Sequence, residues 1–283
     1  MAGYSYRDYI AWERLPHLWC PGCGHGIILK ALAGALAELG LPPEKTLLAT
    51  GIGCAGRSGD YVTCHRFQGT HGRTLAFATG AKLARPEMKV VCVMGDGDAA
   101  AIGGNHLLHA ARRNMDVTAV VSNNFNYGMT GGQYSPLTPA DSISSTSRQG
   151  TVDAPMDICS LANWAGANYV ARSTVYHVTE SKRFLREALQ KKGFSLVEII
   201  SNCPTYYGRY NRLGAALEMM DWFKHNVIPL EKHRQLPVEE QVKFFWRGCL
   251  ADRSKPGFLE RSGHQVEEMT PDAETITGGG ESL

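Results

Sequence analysis

The sequence predicts an α/β fold, a doubly wound and mainly parallel sheet with helices on both faces. Three observations carry this expectation. Short continuous apolar runs, of which KVVCVM (89–94) is the clearest, have the character of strands covered on both sides. Segments with helical apolar spacing alternate with those runs, as crossover connections between parallel strands require. Glycine-rich loops at 51–54, 95–98 and 123–132 each follow a strand, and in such sheets ligands sit past the carboxyl ends of the strands. The 283 residues suffice for one large domain, taken as 1–225, with a C-terminal extension at 226–283 of helical segments and a tail.

The elements follow in order. Residues 1–19 are an arm with aromatic and charged side chains and little periodicity. Cys20-Pro21-Gly22-Cys23-Gly24-His25-Gly26 is a tight loop. IILKALAGALAELG (27–40) then has helical spacing and stops at Gly40, with Pro42 and Pro43 beyond. Residues 46–50 read as a buried strand, 72–85 as a helix, 89–94 as a strand, 99–113 as a helix and 117–122 as the next strand. The stretch 133–155 is rich in Ser, Thr, Pro and Gly and is expected to be a long surface loop. Helix 157–164, strand 168–172, helix 178–191 and strand 194–201 complete the alternation. Further helices are expected at 213–224 and 238–250. The tail 261–283 has little to bury and is expected to be mobile or to lie on a partner.

Composition narrows the function classes. Lys+Arg 29 against Asp+Glu 27 gives a net charge of +2, which leaves no electrostatic footprint for nucleic acid or an anionic membrane. Mean hydropathy is -0.21 and no apolar run approaches membrane-spanning length, so no transmembrane helix is expected. The N-terminal MAGYSYRDYIAWERLP has neither an apolar core nor a cleavage pattern, and a cytoplasmic location is expected. Eight cysteines are too few for a disulfide scaffold in a chain of this length and point toward metal or redox chemistry.

Gly95-Asp96-Gly97 ends a buried strand and opens a helix. Glycines there let backbone N–H groups approach a phosphate. Asp96 would repel that phosphate unless a divalent cation lay between them, and Mg2+ takes oxygen ligands of this kind. Asn123-Asn124 closes the next strand, so an amide oxygen could be a second ligand and the Asn126 carbonyl a third. Alone, GDG also fits a glycine turn with a helix-capping Asp. Together, GDG and NN resemble the diphosphate-binding motif of thiamine diphosphate enzymes. The resemblance implies thiamine diphosphate and Mg2+, with Asp96 and Asn124 as metal ligands through their side chains and Asn126 through its carbonyl. Such enzymes need a second domain for the aminopyrimidine, with its activating Glu, and this chain has room only for the diphosphate half.

Cys20 and Cys23 share one loop, Cys54 lies in another, and Cys203-Pro204 follows strand 194–201. Four thiolates from three loops can hold a tetrahedral metal or a four-iron cluster. A C-x2-C pair alone fits a zinc site or a redox pair as well as it fits a cluster, and Cys54 and Cys203 taken singly read as small buried hydrophobes. Cys92 is mid-strand and read as core, while Cys64, Cys159 and Cys249 carry no signal.

Across residues 12–225 the motifs resemble those of the β subunits of 2-oxoacid:ferredoxin oxidoreductases, most like the 2-oxoglutarate type. They are Trp19-Cys20-Pro21-Gly22-Cys23-Gly24, Gly51-Ile52-Gly53-Cys54, Thr70-His71-Gly72-Arg73, Gly95-Asp96-Gly97-Asp98, Asn123-Asn124 and Thr130-Gly131-Gly132-Gln133, in that order. The resemblance implies a [4Fe-4S] cluster on Cys20, Cys23, Cys54 and Cys203. It places Ile52, Gly53, Cys54, Ala55, Gly95, Gly97, Asp98, Gly128, Met129 and Thr130 along the cofactor, with His71 against it. His71 also reads as an ordinary helix-start histidine. Arg57 reads either as a solvated side chain or as a fork for a substrate carboxylate. Some relatives carry Lys at Arg57, or within the turn at Gly131, so the substrate pocket departs most from the family pattern.

The implied reaction is oxidative decarboxylation of a 2-oxoacid with coenzyme A, electrons passing through the cluster to ferredoxin. Reductive carboxylation is the reverse. Arg57, His65 and Arg66 suit the second carboxylate of 2-oxoglutarate, with pyruvate and branched-chain 2-oxoacids as alternatives. The implied partner is an α subunit that supplies the activating Glu, in an (αβ)2 assembly. Two other classes stay open: a non-redox thiamine diphosphate decarboxylase, and a zinc-binding interaction subunit.

Overall fold

The structure is a computed structural model, and it describes residues 3–263. The N-terminal arm makes two short 3-10 turns, and Tyr9 is buried with its hydroxyl donating to the Leu41 carbonyl at 2.6 Å. Helix α1 is His25–Glu38, β1 is Thr46–Thr50, and a 3-10 turn at Ala55–Tyr61 leads to β2, His65–Gln68. Then come α2 (Thr74–Ala84), β3 (Lys89–Gly95), α3 (Asp96–Ala100), α4 (Gly104–Arg113) and β4 (Thr118–Asn123). After the long loop follow α5 (Ile158–Trp164), β5 (Tyr169–Thr174), α6 (Val178–Gln190) and β6 (Ser195–Ile200). The chain continues through α7 (Ala216–Asn226), β7 (Val227–Pro229), α8 (Leu230–Gln235), α9 (Val238–Gln241), β8 (Phe245–Asp252) and α10 (Phe258–Arg261).

The described strands form one sheet in the order β2-β1-β3-β4-β6-β5-β8-β7, parallel throughout except for the antiparallel pair β5 and β8. Residues of β3 alternate between two cores, because successive strand side chains point to opposite faces. Val91 and Val93 join the core beneath α1 and α6, while Val90, Cys92 and Met94 join the core beneath α2, α4 and α5. This is the expected doubly wound α/β architecture. The expected core role of Cys92 also holds, since it is fully buried. Among the described residues no helix is long and apolar enough to cross a membrane.

Several elements differ from expectation, each for a physical reason. The helix expected at 238–250 is the single turn α9 followed by strand β8. Gly248 at φ 142° cannot sit in a helix, and pairing with β5 covers an edge that would otherwise be open. The helix expected at 99–113 breaks after Ala100. Gly103 turns so close to Asp98 that a Cβ there would lie 2.1 Å from the Asp98 carbonyl oxygen. The loop 133–155 has no helix or strand, yet it is not wholly a surface segment, for Ser135, Leu137, Thr138, Ser142 and Thr151 are buried. Of the tail expected at 261–283, residues from 264 onward lie outside the described residues.

Candidate active site

The loops that follow β1, β3 and β4 meet at the carboxyl edge of the sheet, where parallel strands leave a crevice. They line a cavity of about 190 Å3. Every residue expected along the cofactor borders it: Ile52, Gly53, Cys54 and Ala55 from the first loop, His71, then Gly95, Asp96, Gly97 and Asp98, then Asn124, Asn126, Gly128, Met129 and Thr130. His25, Ser122 and Tyr127 border it too, and sequence reasoning missed all three. His25 and Tyr127 lay inside loops already singled out, and no spacing rule marks a residue that approaches a site only in three dimensions.

Close approach explains the glycines here. A Cβ on Gly97 would fall 2.1 Å from the Tyr127 ring, and one on Gly51 would fall 2.1 Å from Asp98 Oδ2. Asp98 Oδ1 accepts from the Gly72 N–H at 2.5 Å and lies 3.2 Å from His71 Nδ1. The same Nδ1 is 3.2 Å from the Ile52 carbonyl. Both neighbours are acceptors, so Nδ1 carries the proton in this geometry.

The acidic and amide groups have the character of a cation site. Asp96 is buried, which pushes its carboxyl up to about 7 despite a 2.5 Å hydrogen bond from the Ser135 hydroxyl. Asp98 Oδ2 and both side-chain polar atoms of Asn126 are buried without hydrogen-bond partners. Buried polar atoms of this kind call for a ligand or ion. All the candidate donors around Asp96 are oxygens, the set preferred by Mg2+.

The four expected cluster cysteines, Cys20, Cys23, Cys54 and Cys203, line a second cavity of about 490 Å3. It adjoins the first, with Cys54, Asn124, Gly128 and Met129 bordering both. Burial pushes the Cys23 thiol up to about 12 and Cys54 up to about 11, and the neighbouring cysteines add to each shift. Four cysteines packed around one cavity suit a positively charged centre that would hold them as thiolates. No three of the sulfurs lie within 4.8 Å of one another, the set Asp157, Cys159 and Glu198 being the one such group among the described residues. Local contacts build the pocket. Trp19 Nε1 donates to the Cys54 carbonyl at 2.7 Å, and Asn202 Nδ2 donates to the Gly22 carbonyl at 2.7 Å. Gly22 has φ 77° and lies where a Cβ would be 2.5 Å from that of Ala216. His25 joins the cavities, with Nδ1 2.9 Å from Cys23 Sγ and its ring stacked on Trp19. Burial lowers its pKa to about 4.

The substrate residues expected from sequence are only partly brought together. Arg57 borders the cysteine cavity rather than the first one and pairs with Asp60 at 3.2 Å. His65 and Arg66 lie on the exposed edge strand β2 and border neither cavity.

Known proteins resemble this chain in both sequence and fold. Residues 51–199 match the C-terminal TPP binding domain family of thiamine pyrophosphate enzymes. The chain is 44% identical to the 2-oxoglutarate synthase subunit KorB of Methanocaldococcus jannaschii, over 92% of this chain and 97% of that protein. It is 52% identical to KorB of Archaeoglobus fulgidus over 71% of this chain and 75% of that protein. The fold superposes on the 2-oxoglutarate:ferredoxin oxidoreductase from Magnetococcus marinus, determined with 2-oxoglutarate, coenzyme A and succinyl-CoA bound. The TM-score is 0.82 at 32% identity, covering 93% of this chain and 90% of that chain.

Proposed function

The chain belongs to the β subunits of the 2-oxoglutarate:ferredoxin oxidoreductases, a family of thiamine pyrophosphate enzymes, and on that footing we propose that it oxidises 2-oxoglutarate with coenzyme A to succinyl-CoA and carbon dioxide. One observation carries the residue-level reading. The residues expected at the cofactor line one cavity, the four expected cluster cysteines line the next, and the two share a wall.

Thiamine diphosphate, when bound, supplies the carbanion chemistry that releases carbon dioxide from a 2-oxoacid. The chain's own residues hold and orient it. Asp96 and Asn124 side-chain oxygens and the Asn126 carbonyl would hold Mg2+ against the diphosphate, and this set fits because it is all oxygen, with the buried Asp96 carboxyl at its centre and the unpartnered Asp98 Oδ2 and Asn126 side chain beside it. Gly95, Gly97, Asp98, Gly128, Met129 and Thr130 would border the cofactor from two loops, and Ile52 to Ala55 from a third. His71, held through Nδ1 by the Ile52 carbonyl and Asp98, would border the cofactor. Arg57 is the group assigned to a substrate carboxylate, from the adjoining cavity.

Cys20, Cys23, Cys54 and Cys203 would hold a [4Fe-4S] cluster, the one-electron route toward ferredoxin. Cluster potentials span about −700 to +450 mV, so reductive carboxylation is open to the same site with a strong donor. All eight cysteines are free, in keeping with a reducing cytoplasm. The activating Glu comes from an α subunit, in an (αβ)2 assembly. Anaerobic co-purification with that subunit tests the reading. About four irons and one thiamine diphosphate per αβ pair are expected, and zinc without iron, or no thiamine diphosphate, would refute it.

A further inference from the structure

Behind the Asn123-Asn124 turn lies a buried polar network that the reaction itself does not use. Glu198 in β6 is 1% exposed, and both its carboxylate oxygens are taken. Oε1 accepts from Asn123 Nδ2 at 2.8 Å. Oε2 accepts from Arg172 Nε at 2.6 Å and from the Cys159 thiol at 3.3 Å. Arg172 in turn donates through Nη2 to Asp157 Oδ1 at 2.6 Å and lies 4.0 Å over the Trp246 ring. The register explains the alignment. Arg172 and Glu198 are direct neighbours on β5 and β6, and Glu198 is paired with Val121, two residues before Asn123 on the same face of β4.

Buried ion pairs seldom stabilise more than apolar side chains of the same size would, so stability alone does not account for this one. Its output is local. Asn123 Oδ1 accepts from the Phe125 N–H at 3.0 Å, and Phe125 sits at φ 63°, a left-handed conformation that costs a bulky side chain about 1 kcal/mol or more. Thr138 Oγ1 donates to the Phe125 carbonyl at 2.6 Å from the other side. The left-handed residue is the one between Asn124 and Asn126, and it sends both toward the first cavity.

We propose that Glu198, held by Arg172, is a positioning residue: through the Asn123 amide it fixes the left-handed turn at Phe125 that presents Asn124 and Asn126 to the Mg2+-diphosphate. This rests on the reading of those residues as the metal loop. None of Asn123, Asp157, Cys159, Arg172 and Glu198 borders either cavity. It predicts that the loop's affinity for Mg2+ and thiamine diphosphate depends on side chains buried behind the site.

The test uses the assembled α–β complex, stripped of cofactor. Calorimetry measures thiamine diphosphate binding as Mg2+ is varied, and the melting temperature of the cofactor-free complex is recorded beside it. Asn123→Asp sets a carboxylate against Glu198, and Glu198→Gln removes the acceptor charge. Each single variant is expected to need at least ~10-fold more Mg2+ for half-maximal binding, the range found when outer-shell partners of a metal ligand are changed. The double variant exchanges donor and acceptor at constant net charge and still offers an oxygen to the Phe125 N–H, so it is expected to return to within about threefold of wild type. Wild-type Mg2+ dependence in both single variants would overturn the inference, as would weakening that follows only a fall in melting temperature. Asp96→Asn separates this inference from the metal-loop reading. If it too leaves binding unchanged, the loop is not the metal site and both fall; if it abolishes binding while the network variants do not, only the positioning role is refuted.

Discussion

Asp96 carries more of the functional reading than any other single residue, and its environment states what it needs. A buried carboxyl raised to about 7 is poorly suited to a metal-free core and well suited to a cation. Asp96→Ala is therefore expected to lower Mg2+-dependent thiamine diphosphate retention by more than about 100-fold, the upper end for changes one shell further out. The cofactor-free fold should survive, because the variant removes a buried charge rather than an apolar contact. Retention at wild-type Mg2+ would contradict the assignment. The cysteines separate in the same way. Cys203→Ser should abolish a four-iron absorption spectrum, since Cys203 lines the cavity it shares with Cys20, Cys23 and Cys54. Cys92→Ser should keep it at a cost of about 1–3 kcal/mol in stability for a hydroxyl buried in the core of β3. A normal spectrum in Cys203→Ser would remove it from the ligand set. Residues with a chemical signature in sequence, such as Asp96, Asn124 and the four cysteines, stand out as candidates, and the structure brings them to the two cavities. His25 and Ser122 do not stand out, because a histidine behind a C-x2-C and a serine ending a strand acquire meaning only when α1 and β4 bring them to the same wall.

At the scale of elements, legibility follows burial. β3 reads directly from KVVCVM because both its faces are covered, and β4 and β6 are buried along their whole length. β2 was missed because HRFQ is exposed at every position and exists through pairing with β1 rather than through its own pattern. β8 was missed because its aromatic run also fits a helix, and Gly248 decides it. The start of α6 supports a prediction about pH. His177 is the N-cap of α6, with Nδ1 2.9 Å from Thr174 Oγ1, and burial together with nearby Arg247 lowers its pKa to about 4. Because the folded value lies below the unfolded one, the contribution is full above about pH 6.5 and is lost as pH falls from there toward 4. A charge at a helix N-terminus acts in the same direction. Chemical denaturation of the cofactor-free complex at pH 7 and pH 5 should show a larger loss in wild type than in His177→Gln. Equal losses would show that His177 makes no such contribution.

For the whole molecule, the proposed reading assigns the diphosphate and its cation to the first cavity and a cluster to the adjoining cysteine-lined one. The described residues form one sheet with no second α/β unit to receive the aminopyrimidine. The chain alone is therefore expected to be inert in 2-oxoglutarate- and coenzyme A-dependent viologen reduction, and turnover equal to that of the complex would mean that the activating Glu lies within it. The central claim is that the thiamine diphosphate site empties its electrons into the adjoining cysteine-held cluster. The direct measurement is low-temperature electron paramagnetic resonance of the anaerobic α–β complex, before and after 2-oxoglutarate and coenzyme A are added together. A reduced-cluster signal should appear with substrate, and it should be absent in both Asp96→Ala and Cys203→Ser. Substrate-dependent release of carbon dioxide with no change in the iron signal would contradict the account.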